Sequence, residues 1–152
     1  MDLDTLLNKN QKEAATYLDS HLRIIAGAGS GKTRVVTYRI AHLIQDVGID
    51  PRSILAITFT NKAANEMKER VNEVVGIHGS GTLICTIHSL CVRFLRQHIN
   101  VLHYPSNFTI MDEEDQKALI KKIYNNLDID AKTISIKSMI ASISSYKMAN
   151  IT

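Results

Sequence analysis

An α/β domain built on a parallel sheet is the fold class that this 152-residue sequence predicts, and three observations predict it. Between residues 22 and 100 a short apolar run, a turn-rich junction and an amphipathic stretch follow one another repeatedly. Strands alternating with helices in this way require parallel pairing with crossover connections. The run ILAITF at 54–59 lacks the polar alternation of a half-solvated strand, as expected for a strand covered on both faces. A glycine-rich octapeptide, AGAGSGKT at 26–33, occupies the first junction between an apolar run and a helical stretch.

The elements follow in order. LRIIA (22–26) is the first expected strand, and it leads through the glycines to a helix from about Lys32. Val35, Val36, Ile40, Leu43 and Ile44 share a face of that helix, and Gly48 and Pro51 are its stop signals. ILAITF is the second strand, and NKAANEMKERVNEVVG is a helix closed by Gly76. LICTI (83–87) is the third strand, followed by the helical HSLCVRFLRQHI. After about Tyr104 the pattern changes. Leu119, Ile120, Ile123, Tyr124 and Leu127 keep a helical spacing, as do Ile136, Met139, Ile140 and Ile143, so two helices outside the parallel sheet are expected. The expected division is 1–105 and 106–152.

Composition narrows the class. Hydrophobic residues make up 45% and charged residues 22%, which suits a globular chain with a real core. Residues 1–111 carry 12 Lys+Arg against 9 Asp+Glu, whereas 112–152 carry six of each. The mild basic bias of the first part permits a polyanionic partner. No apolar run approaches the roughly 20 residues that span a bilayer, so no membrane partner is expected. Two cysteines, Cys85 and Cys91, and no secretory leader fit a reducing cytoplasm.

The octapeptide carries the first chemistry. It has the form of a P-loop, G-x-x-x-x-G-K-[ST], with Ala26 where the first glycine would stand. Gly27, Gly29 and Gly31 let the backbone turn its amides onto phosphate oxygens at the positive end of the following helix. Lys32 then neutralises the β and γ phosphates, and the Thr33 hydroxyl ligates magnesium. Cys85, His88 and Cys91 stand at three-residue steps, but zinc calls for a fourth ligand and a Cys-x-x-Cys or His-x-x-x-His pair. FTIMDEED (108–115) imitates a Walker B acid after an apolar strand. Asp112 reads instead as an N-cap, with Glu113 to Asp115 at the positive end of a new helix.

Four segments together are more specific than any one. LNKNQKEA (7–14), AGAGSGKTR (26–34), ITFTNKAANEMKERV (57–71) and CTIHSLCVRFLR (85–96) resemble the UvrD/Rep family of superfamily 1 DNA helicases, in that family's order and spacing. The resemblance implies a P-loop NTPase: the first part of a RecA-like domain, followed by the start of a helical insertion subdomain. It implies ATP and magnesium as cofactors, with Gln11 reading adenine and Gly27, Ala28, Gly29, Ser30, Gly31, Lys32, Thr33 and Arg34 around the phosphates. It places single-stranded DNA against Phe59, Thr60, Asn61 and Lys62, and against His88 and Ser89. A ring at a strand's carboxyl end suits base stacking, while Thr, Asn and Lys suit phosphate contacts. Its Walker B acids, γ-phosphate arginines and second RecA-like domain are implied as further domains of the same helicase. The chain alone is therefore expected to be inactive. Two other classes fit the P-loop by itself: a self-contained NTPase or kinase using Asp112 or Glu113 as its acid, and a non-catalytic nucleotide-binding module.

Overall fold

The computed structural model describes residues 1–150 and divides the chain into two units, Met1–Ile99 and one that begins at Asn100. The first unit contains α1 (Leu3–Leu6), α2 (Lys9–Thr16), α3 (Lys32–Gln45), β1 (Leu55–Thr58), α4 (Asn61–Val75), β2 (Leu83–Thr86) and α5 (Ile87–His98). The two strands pair in parallel, with Leu55 opposite Leu83 and Thr58 opposite Thr86. They alternate with helices as the sequence pattern requires.

The main core lies between α3, α4 and one face of this sheet. Ile40, Ala41 and Ile44 of α3 meet Ala64, Met67, Val71 and Val75 of α4 and Ile84 of β2, with Ile54 and Ala56 packed against them. The spacing within each helix is three or four residues, so one stripe of each is buried. Gly76 closes α4 with φ 64°, a left-handed conformation that a side chain resists. A second, smaller cluster joins α1 and α2 to α3 through Leu3, Leu7, Ala15 and Val35.

Two strand expectations need correction. Residues 22–26 form no strand: Leu22, Ile24 and Ile25 are exposed, Ile25 to 87%, and no ladder among the described residues reaches them. An apolar run becomes a strand only when a neighbour supplies its hydrogen bonds, and neither β1 nor β2 does so here. Nor is β1 covered on both faces. Ala56 faces the α3–α4 core, but Leu55 and Ile57, on the opposite side of the pleat, are half exposed.

In the second unit α6 (Glu113–Asn126) and α7 (Ile136–Met148) pack together. Leu119, Ile120 and Ile123 of α6 and Ile140 and Ile143 of α7 line one apolar groove. Asp112 is the N-cap of α6: its carboxylate accepts from the amides of Glu114 and Asp115, both at 2.8 Å, and Asp115 returns the bond to the Asp112 amide. Residues 108–111 form no strand before it. No helix among the described residues is long and apolar enough to cross a membrane.

Candidate functional site

The glycine-rich loop and α2 enclose a cavity of about 330 Å³, lined by Gln11, Asn8, Ala14, Ser30, Lys32 and Val35 among others. Local sequence builds each wall. Asn8 caps α2 by accepting from the Gln11 amide at 2.9 Å, and the Gln11 side chain accepts from the Asn8 amide at 3.1 Å. This reciprocal capping box fixes the Gln11 side chain at the helix entrance. Its Nε2 then donates to the Ser30 carbonyl at 3.0 Å, joining α2 to the loop. One amide proton and one carbonyl lone pair of Gln11 stay available.

Gly29 and Gly31 take φ of 75° and 82°. A Cβ at Gly31 would also lie 2.8 Å from Gln11 Nε2, so two separate constraints call for glycine there. Gly31 is the N-cap of α3 and offers no side chain to cap it. The first-turn amides therefore present the positive end of the helix without a built-in acceptor. Lys32 folds back over the loop, its ammonium donating to the carbonyls of Ala26 (3.1 Å) and Gly27 (2.7 Å), with a third donor left over. Thr33 and Arg34 are exposed; Arg34 donates to the Leu6 carbonyl at 2.7 Å and lies over the Tyr38 ring. Backbone amides, an ammonium and a hydroxyl around an open cavity form a donor set suited to a polyanion and its counter-cation.

The second group of expected residues lies at the carboxyl ends of β1 and β2. Phe59 is fully exposed (103%), immediately beyond the paired Thr58 and Thr86. Thr60 caps α4 by accepting from the Ala63 amide, while Thr58 donates to the Thr60 carbonyl. Thr86 caps α5 by accepting from the Ser89 amide at 3.2 Å, and its hydroxyl shares a 2.9 Å bond with that of Ser89. Asn61, Lys62 and His88 are exposed on the first turns. Adjacency of the parallel strands thus brings 59–62 and 86–89 to one end of the sheet, whereas Gln11, Ser30 and Lys32 line the separate cavity and Arg34 borders another one. No group of three or more His, Cys, Asp or Glu among the described residues converges as a metal site would require.

Sequence reasoning omitted three participants. Asn8 was legible as the first residue of an N-x-x-Q capping box. Thr86 was legible as a hydroxyl residue before a helix. Arg39 carries no local signal, because its partners are the carbonyls of Ala14, Ala15 and Tyr17 on another helix.

An α/β unit with one group of polar residues at the carboxyl ends of its parallel strands and another at a helix start has the architecture that such domains use for ligands. The chain belongs to the UvrD/REP helicase N-terminal domain family, which it matches over residues 7–152. It is 47% identical over 141 residues to the ATP-dependent DNA helicase PcrA of Staphylococcus aureus, and 46% identical over 141 residues to that of Staphylococcus epidermidis. Each alignment covers 93% of this chain and 19% of the relative, so the chain spans under a fifth of the length of the curated relatives it matches.

Proposed function

We propose that this chain is the ATP- and single-stranded-DNA-binding amino-terminal part of an ATP-dependent DNA helicase, with a RecA-like P-loop fold. The observation that carries the reading is the uncapped start of α3 at Gly31–Lys32, beside Gln11 and next to a cavity that Gln11 and Lys32 both line, in a chain of this family. Gln11 would take the adenine edge with its remaining donor and acceptor. The amides of 27–33 and the third Lys32 donor would hold the phosphates, and Arg34 would lie beside them. The exposed Thr33 hydroxyl would ligate magnesium, whose chemistry is to neutralise the phosphate charge. DNA would run along the other edge, with a base stacked on Phe59 and phosphates near Thr60, Asn61, Lys62, His88 and Ser89.

Completion by further domains of the same protein is part of the proposal. It is supported by the unpaired apolar run 22–26, which further strands would pair, and by the open face of Leu55 and Ile57, which a further packed layer would cover. The chain by itself is expected to bind nucleotide weakly and neither to hydrolyse ATP at a useful rate nor to unwind DNA. Phosphoryl transfer depends on a positioned water and charge neutralisation at the γ-phosphate, where an arginine from elsewhere contributes roughly a thousandfold or more. Asp112, the nearest imitation of a Walker B acid, is occupied as a helix cap. The experiment is ATP turnover with and without single-stranded DNA, repeated with Asp112→Asn and Glu113→Gln. Robust turnover that these substitutions abolish would overturn the proposal in favour of a self-contained NTPase.

A further inference from the structure

Helix α2 is eight residues long, too short to hold itself in water, so its position depends on what grips it. Its amino end is tied to the glycine-rich loop by the Gln11–Ser30 bond. Its carboxyl end has no basic residue in the last turn to meet the terminal carbonyls. That charge comes from α3. Arg39 Nη1 donates to the carbonyls of Tyr17 (2.6 Å), Ala14 (3.2 Å) and Ala15 (3.3 Å). Carbonyls at a helix end have no intrahelical partner, and they carry the negative end of the dipole, so a guanidinium satisfies both needs at once.

Arg39 and Lys32 stand on the same rigid helix, two turns apart. Arg39 does not line the cavity between Gln11 and Lys32; it borders a different one, beside Ser20, Leu22 and Val36. Ala15, next to the gripped carbonyls, is fully buried among Leu3, Leu7 and Val35. The Arg39 bonds therefore bear on the seating of α2 against α3 rather than on one loop. We infer that Arg39 is a positioning residue for base recognition: by holding the end of α2 on α3 it sets Gln11 at a fixed distance from the glycine-rich loop, without touching the nucleotide. This rests on the reading of Gln11 as the adenine contact.

The test separates the two ideas. The full chain is titrated with ATP, GTP and inorganic tripolyphosphate, alongside the variants Arg39→Met and Gln11→Ala. Arg39→Met keeps the apolar stem but removes the charge and the donors. Both variants are expected to lose most of the preference for ATP over GTP, about tenfold if one hydrogen bond carries it. Tripolyphosphate affinity is expected to stay within about twofold of the parent, because the phosphate contacts come from α3 and the loop. Amide exchange at Lys12 to Tyr17 should quicken in Arg39→Met alone. If Gln11→Ala loses the preference and Arg39→Met keeps it, the positioning role is wrong. If Gln11→Ala keeps it, the adenine reading fails and the inference falls with it. Should Arg39→Met melt early, Arg39→Gln carries the same comparison, with a neutral donor on a shorter stem.

Discussion

The start of α3 and the starts of α4 and α5 solve the same problem in opposite ways. Each helix opens with amides that lack an intrahelical acceptor. Thr60 and Thr86 satisfy theirs internally, with hydroxyls accepting from the Ala63 and Ser89 amides. Gly31 satisfies nothing, and Lys32 spends two donors on the loop's own carbonyls instead. The two capped ends each satisfy one amide internally and present Asn61, Lys62 and His88 on their first turns, with Phe59 just before the cap of α4. The uncapped end presents backbone, whose amides stay open to solvent or to an anion. A helix start left uncapped just after glycines of positive φ is thus the one whose geometry is open to an anion.

The comparison breaks most directly at Lys32. Lys32→Ala should remove about 3 kcal/mol or more of ATP affinity, over a hundredfold, since the phosphate charge would then lose the ammonium held over the loop. Equal titration of labelled ATP by parent and variant would show that the uncapped end serves no anion. Phe59→Ala comes next. It should weaken single-strand binding by roughly 1 to 3 kcal/mol while leaving the melting temperature close to that of the parent. Loss of a core phenylalanine would instead lower stability by about 3 to 5 kcal/mol, so calorimetry beside a DNA titration separates the two.

Removing the caps sharpens the contrast. Thr60→Val and Thr86→Val should each lower unfolding free energy by about 1 kcal/mol and leave ATP affinity unchanged. Gly31→Ala should lower stability by a similar amount, about 1 kcal/mol from the positive φ alone, and unlike the cap variants should weaken ATP binding, because its Cβ would push Gln11 aside. ATP binding unaffected by Gly31→Ala would count against the coupling of Gln11 to the loop.

The smallest effect is at the far end of α3. His42 hydrogen-bonds Asp46 at 2.8 Å and the Met1 ammonium lies 3.1 Å from the same carboxylate, and in that order they hold Asp46 below the ordinary carboxylate range. A depressed folded value stabilises the protein above the unfolded value, and the gain fades as pH falls through the folded one. Asp46→Asn should therefore lower stability by a few tenths of a kcal/mol at neutral pH, since the pair lies at the surface, where solvent screens it. Parent and variant melting curves should converge once the pH has fallen below the lowered folded value of Asp46.

Much of this was legible in the sequence. The helices from Lys32, Asn61, Ile87, Glu113 and Ile136 begin close to where apolar spacing and caps put them, because those signals act within one or two turns. Asp112 acts as a helix cap because its acceptor meets amides two and three residues on. The glycine-rich loop was legible for the same reason: positive φ and a missing cap are properties of a few consecutive residues.

The tertiary structure decided what depends on distant partners. LRIIA has the composition of a strand and ILAITF that of a strand covered on both faces, but pairing and coverage come from other segments, and here the first is unpaired and the second covered on one side. Phe59 could have been core or surface on its type alone; its place one residue past the ladder, with no element packed over it, makes it surface. Arg39 has the spacing of an ordinary helix residue, and only the packing of α2 on α3 brings three orphan carbonyls to its guanidinium. Local chemistry can be read along the chain because its partners lie within a turn, whereas burial and pairing are settled by residues the chain brings together only when it folds.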